Sequence, residues 1–447
     1  MRAMRWVKNR EDSRAGGLEC LEPRRLMSAA LPQVSVVPTD AGFTLQVVAQ
    51  PGDNIQVKST QNGFGLRVIA NGQSHTYRQA FNEINATAIS GNNQLIIDKS
   101  ITVNAVLEGG SGNDTLVGGA GDDTLYAGTG TDSLSGGDGN DVLVAPHGAI
   151  DTLNGGTGLD SYWSQTGDLI TKVSAAESAI NAVHWLDRTA PMAAPALAGG
   201  APGEPSFSAD GSYLSFAGDP LFAPGGPSPD DVVQGQVGDC YFLSTLAAVA
   251  RTDPNQIRQD VVQLSDGSFL VRFNDNGKSI YEHIDAQLPA YSEGIPVYAQ
   301  LGQSNSMWAA VLEKALAVYR GNANSYDDLD AGWMSEAYSD LGLANSTAYQ
   351  SQQKSAADEM SLIQGELNHQ EAVTVAILSV PRGTPLIAAH AYTVDSVQTT
   401  DGVVTGLTLR NPWGEVGVAG YDNNGGYVTV TPAQAFGAVF AITAGVA

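Results

Sequence analysis

The sequence predicts a multidomain chain: an all-β segment built on a nine-residue repeat, followed by an α+β domain. Three observations predict it. With 447 residues, 43% of them hydrophobic, the chain is too long for one ordinary core and rich enough to fill two or three. Glycine and aspartate recur at a fixed spacing between residues 109 and 163. Further on, Gly238-Asp239-Cys240 runs straight into the apolar stretch from Tyr241 to Ala250, a turn that delivers a cysteine to the start of a buried helix.

Charge and cysteine usage narrow the class. A net charge of -25 argues against nucleic acid or an anionic membrane surface as partner and favours cations or a saline, extracytoplasmic setting. No apolar run approaches the ~18 residues that a membrane-spanning helix needs. Cys20 and Cys240 are the only cysteines. They make no disulfide framework, which leaves Cys240 as a candidate nucleophile.

Residues 1–30 are basic and not domain-like. They lack the apolar stretch of ~7–15 residues that defines a secretory signal. The segment Leu21-Glu22-Pro23-Arg24-Arg25-Leu26 resembles the Leu-Glu-Pro-Arg leader motif of bacterial extracytoplasmic proteins. That resemblance implies export, to an extracellular or cell-surface location. Residues 31–108 alternate short apolar runs with Gly, Asn and Asp turns, and read as a β-rich cap region.

The repeat occupies 109–163. Aspartates stand at 114, 123, 132 and 141, and a one-residue insertion then moves the phase to Asp151 and Asp160. Leu116, Leu125, Leu134, Leu143 and Leu153 keep step with them. A flexible acidic linker needs no such leucines. The pattern resembles the RTX nonapeptide family, which implies a parallel β-roll that binds calcium between successive coils. Asp114, Asp123, Asp132, Asp141, Asp151 and Asp160, with backbone carbonyls, then supply the hard oxygen ligands. Two units complete one coil, so Asp114 stacks with Asp132 on one side and Asp123 with Asp141 on the other. Without calcium the charge repulsion predicts disorder. Residues 164–205, rich in Ala, Pro and Gly toward their end, read as a linker, and 206–447 as the second domain.

Four residues in that domain form a chemical set. Asp239 as N-cap places Cys240 in the first helical turn, where free N–H groups and the helix dipole lower a thiol pKa. His390 can move the proton, Asn411 can orient the imidazole, and Gln234, six residues before the nucleophile, can donate to an oxyanion. His390 and Asn411 fit a hairpin, paired directly if its turn centres on Thr400-Asp401 and diagonally if on Asp401-Gly402. His283 and His369 read as structural, and Trp308, Val311, Leu312, Ala315 and Leu316 as a core helix face. Trp413 suits either a shield over the His-Asn pair or plain core.

The order Cys, His, Asn is that of papain-type cysteine proteases. Gln234 to Leu243, Met307 to Ala315 and Leu409 to Glu415 together resemble the calpain protease core. The resemblance implies a papain-like, two-lobed cysteine protease fold, with Cys240 in a mainly helical lobe and His390 and Asn411 in a mainly β one. It also implies a calcium-dependent endopeptidase acting on protein or peptide substrates. Nothing follows Ala447, so the C-terminal modules of animal calpains are expected to be absent. The family's calcium loops match in part. Gly226 and Asp231 suit the first loop, but Ser306 replaces an acidic residue, and Gly417, Asn424 and Gly426 stand where carboxylates belong in the second. A catalytic domain active without calcium is the expectation. The competing function is a non-catalytic adhesion or scaffolding protein on the same fold.

Overall fold

The computed structural model describes residues 32–446 apart from 40–41, 61–63, 147, 181, 187–203, 224–225, 265, 321–323, 351–354 and 419–423. The leader motif, Cys20 and the Ala/Pro/Gly-rich part of the expected linker lie outside the described residues.

Two eight-stranded sheets face each other from Gln33 to Leu186. Through the repeat, successive strands of each sheet are parallel, and the apolar residue of each nonapeptide pairs with its counterpart one coil on. One ladder runs Leu95, Leu116, Leu134, Leu153 and Ile170. The facing ladder runs Leu107, Leu125, Leu143 and Tyr162. The ladder residues from Leu95 to Leu153 and from Leu107 to Tyr162 are buried and fill the space between the sheets. This is the parallel β-roll that the resemblance to the RTX repeats implied.

The roll is longer than the repeat. Strands Asn54–Ser59, Glu83–Ala88, Gln94–Ile97 and Ala105–Glu108 already belong to its parallel ladders. Gln33–Thr39, Leu66–Ala70 and Gln73–Tyr77 add antiparallel edges. The region expected as a separate cap is thus continuous with the roll. At the far end Leu169–Thr171, a capped helix Ala175–Ala179 and Val183–Leu186 prolong it past residue 163.

The second domain has two cores. The first is built around the helices Cys240–Thr252 and Trp308–Arg320 with short antiparallel sheets at its side. The other is a six-stranded antiparallel sheet covered by Ala356–Asn368 and Pro432–Ala438. The nucleophile-bearing helix, buried throughout Tyr241–Ala250, packs on the strands that carry His390. Thr393 Oγ1 donates to the Ser244 carbonyl at 2.6 Å and stitches sheet to helix.

The roll docks on the first lobe. Val142, Val144, Trp163 and Leu186 of the roll share one apolar cluster with Val262, Leu264 and Leu270. His184 lies between the Trp163 and Tyr281 rings, and its Nε2 meets Gln259 Oε1 at 3.3 Å. Gln259 Nε2 donates to the Asp160 carbonyl at 3.3 Å. Gln259 sits on the helix Pro254–Asp260, which follows the Cys240 helix across Asp253, so the roll contacts the helix next in sequence to that of Cys240. Trp163→Ala empties the centre of this seam. It is expected to cost about 3–5 kcal/mol and to split one thermal transition into two by calorimetry.

Candidate active site and calcium ladders

Cys240 is the first residue of its helix, with Asp239 at the N-cap. The Asp239 side chain makes no capping bond. Its carboxyl is fully buried and turns inward, where it hydrogen-bonds to the carboxyl of Glu313. Burial pushes both groups up, Asp239 to about 7 and Glu313 well above its usual range, so the pair holds a proton between them. Glu313 also accepts the Ala299 N–H at 2.8 Å.

His390 and Asn411 come from neighbouring strands, His390–Thr400 and Val403–Arg410 with its following turn. The hairpin closes at Asp401-Gly402, both with positive φ (50° and 77°), as a two-residue turn favouring right-handed twist requires. One bulge in each strand cancels the other, and Thr393 again faces Arg410. That register sets His390 and Asn411 diagonally on one face. His390 Nε2 lies 2.8 Å from Asn411 Oδ1. Because an amide oxygen only accepts, Nε2 carries the proton and Nδ1 is left as the basic nitrogen. Asn411 is completely buried, and its Oδ1 also accepts the Trp413 N–H at 3.0 Å. Trp413 lies over the imidazole with ring centres 4.8 Å apart, so it covers the pair from water.

The thiol faces this strand: the Ala391 N–H donates to it, one residue from the imidazole. The expected depression of its pKa is reversed. Burial, with a smaller push from the Asp239 charge, raises Cys240 to about 11, and the backbone donors do not offset it. Burial likewise holds His390 below its usual value, although the Asn411 bond acts the other way. Burial thus favours the neutral form of both the thiol and the imidazole.

Gln234 lies in the loop before the nucleophile, where its N–H donates to the Pro412 carbonyl at 2.8 Å. Nε2 spends one of its two N–H donors on the Val237 carbonyl at 2.7 Å. His283 is buried on a strand against Ser268 (2.6 Å), and His369 caps the exposed end of Ala356–Asn368, as structural histidines do. Trp308 is core but not only core: its Nε1 donates to Asp231 Oδ2 at 2.9 Å. Asp231 also accepts from the backbone N–H groups of Gln303 and Ser228, both at 2.9 Å. The chain's own donors thus hold that carboxylate. Ser306, beside it, offers only a hydroxyl.

In the roll the aspartates form two ladders. Each Oδ1 accepts the backbone N–H of the residue one coil earlier: Asn93 to Asp114, Asp114 to Asp132, Asp132 to Asp151, Asp151 to Asp168. On the other side the order is Ala105 to Asp123, Asp123 to Asp141, Asp141 to Asp160, Asp160 to Glu177. Asp114 therefore stacks with Asp132, and Asp123 with Asp141. Sequence reading missed Asn93, Asp168 and Glu177. The signal for the first was present, since Gly91-Asn92-Asn93-Gln94-Leu95 is a degenerate copy of Gly112-Asn113-Asp114-Thr115-Leu116.

The second carboxylate oxygens of Asp114, Asp132, Asp141, Asp151 and Asp160 are buried and meet no donor. Glycine makes room for them; a Cβ on Gly136 would land on Asp141 Oδ2. Desolvation, relieved only in part by those backbone bonds, raises Asp132 to about 6, Asp123, Asp151 and Asp160 to about 7 and Asp141 to about 9. Buried, donor-less carboxylate oxygens stacked on both edges are the chemistry a hard cation satisfies.

Two outcomes follow from these shifts. Carboxyls whose folded pKa is raised favour the fold while protonated. The metal-free roll is therefore expected to lose stability as pH climbs from about 4, the unfolded value, with the loss complete above about 9. Circular dichroism melts with chelator will show that slope, and calcium will remove it. For Cys240, iodoacetamide alkylation in the resting protein is expected to keep accelerating through about pH 10, without the plateau below neutrality that a thiolate–imidazolium pair gives.

Comparison with known proteins agrees with both halves. Residues 213–425 match the profile of the calpain family cysteine proteases, and residues 108–143 that of the RTX calcium-binding nonapeptide repeat. Calpain-type cysteine protease DEK1 of Zea mays is 29% identical over 216 residues, 45% of this chain and 10% of that protein. Calpain-B of Drosophila melanogaster is 31% identical over 220 residues, 44% of this chain and 23% of its own. The human calpain-2 catalytic subunit is 26% identical over 237 residues, 48% of this chain and 33% of its own. The chain thus spans a tenth to a third of the length of these relatives. Its second half resembles the calpain-family cysteine protease domain, and the stretch before it the RTX calcium-binding repeats.

Proposed function

We propose that the chain is a cysteine endopeptidase that hydrolyses peptide bonds through Cys240, His390 and Asn411, with the roll as its calcium-binding module. The observation that carries this is the 2.8 Å bond from His390 Nε2 to Asn411 Oδ1, which leaves Nδ1 basic on the strand facing the Cys240 thiol. The thiol proton passes to Nδ1 as sulfur adds to the substrate carbonyl, and from there to the leaving amine. Water then releases the acyl group and restores the thiol. The second N–H of Gln234 Nε2 and the N–H groups of the first helical turn supply donors for the oxyanion.

In this reading the ladder residues Asp114, Asp123, Asp132, Asp141, Asp151 and Asp160 hold calcium, and Asp168 and Glu177 extend the two series. The catalytic lobes do not depend on the ion for alignment. Asp231 is already saturated by Trp308, Gln303 and Ser228, which supports activity without calcium in the core. Export to the surface or medium fits the acidic composition and the leader motif. The neutral thiol and the inward Gln234 favour the competing scaffold reading, in which the protease fold only binds.

Labelling with an epoxide cysteine-protease inhibitor separates the two. Stoichiometric labelling at Cys240, lost in His390→Ala, is the expected result, and an inert Cys240 overturns the enzyme. On peptide substrates, Cys240→Ala and His390→Ala should abolish turnover without loss of fold, while Asn411→Ala keeps a residue of activity. A chelator should leave wild-type kcat/KM within about threefold below the melting temperature of the metal-free roll.

A further inference from the structure

Arg410 precedes Asn411, yet its side chain plays no part in the chemistry above. It is a buried cation, 1% exposed, in the β lobe, and it reaches across to the helical lobe. Its Nη2 donates to the Val232 carbonyl at 2.9 Å and its Nε to Asp230 Oδ1 at 3.3 Å. The same Asp230 oxygen accepts the Tyr427 hydroxyl at 2.9 Å, and the guanidinium lies 5.9 Å from the Tyr427 ring centre. Tyr427 faces Arg410 on the neighbouring strand. Val232 is two residues before Gln234, whose N–H holds the Pro412 carbonyl just after Asn411. On the other side of this segment the Val233 carbonyl accepts the Gln300 N–H at 2.8 Å.

A desolvated guanidinium is costly unless its donors are met; Nη1 finds no acceptor among the described residues, so the Nη2 and Nε bonds are the ones that fix its position. We propose that Arg410 is a positioning residue: with Asp230 and Tyr427 it latches the two lobes and sets residues 232–234, and hence Gln234, against the His390–Asn411 pair. The proposal rests on the endopeptidase reading for its kinetic consequence, but the latch itself is a structural claim that stands without turnover. It also supplies a reason for lobe alignment that needs no ion between the lobes.

The test uses the full-length chain and begins with Asp230→Ala, whose side chain is 43% exposed and whose loss leaves the core intact. The latch predicts that kcat falls about tenfold with KM within about twofold, since misplacement of an oxyanion donor is felt in the transition state. Asp230→Glu should recover most of the loss, and Arg410→Lys, which keeps the charge but not the forked donors, should not. Amide hydrogen exchange should quicken at residues 232–236 in Asp230→Ala while the roll strands stay protected. An Asp230→Ala protein with unchanged kcat overturns the positioning role, as does a pure rise in KM. Unchanged exchange at 232–236 overturns the latch. If the wild type cleaves nothing, the endopeptidase reading fails, and the exchange measurement still decides the latch.

Discussion

Desolvation of charge is the constraint on which the rest of this structure depends. The chain carries a net charge of -25 and nevertheless buries carboxylates in both domains. An isolated buried charge is too costly to persist, so each must share a proton, find an opposite charge, gather N–H donors as Asp231 does, or meet an ion. These solutions divide the molecule. Asp239 and Glu313 share a proton, Asp260 pairs with Arg272 at 2.6 Å, and the roll leaves stacked carboxylate oxygens that meet no donor.

In the roll the same constraint explains the glycines. A coil of eighteen residues brings each aspartate over the backbone of the preceding one, close enough for a carboxylate–amide bond, and Gly109, Gly118, Gly136 and Gly155 leave room for the second oxygens. Apolar ladders between the sheets and acidic ladders along the edges therefore have one period and one cause. Docking through Trp163 and Gln259 then brings one acidic edge, at Asp160, onto the helix that continues the nucleophile helix.

The catalytic half turns burial to a different use. The nucleophile helix is buried along Tyr241–Ala250, and this gives a rigid seat to a thiol that pays in acidity for its position. Helix N-terminus and imidazole partner both favour a thiolate, yet neither outweighs the loss of water around the sulfur and the charge of Asp239. Trp413 packs on the imidazole at this same site.

Local pattern by itself determined much of this protein. A nine-residue period of Gly, Asp and Leu dictates a roll with two aspartate stacks, because each unit contributes half a coil. A Gly-Asp-Cys turn before the largely apolar run Tyr241–Ala250 places a cysteine at a buried helix start, and the adjacency of His390 and Asn411 followed from hairpin geometry. The extent of the roll was less legible, since Asn93 and Glu177 take aspartate positions without the repeat's consensus. Only the tertiary structure decided the hairpin register, where two bulges cancel, the inward turn of Gln234, and the sign of the Cys240 shift. Nor could the sequence show that Arg410 spans the lobes to Asp230 and Val232, 180 and 178 residues away. Those features depend on which groups lose water together, and that is set by long-range packing, not by spacing along the chain.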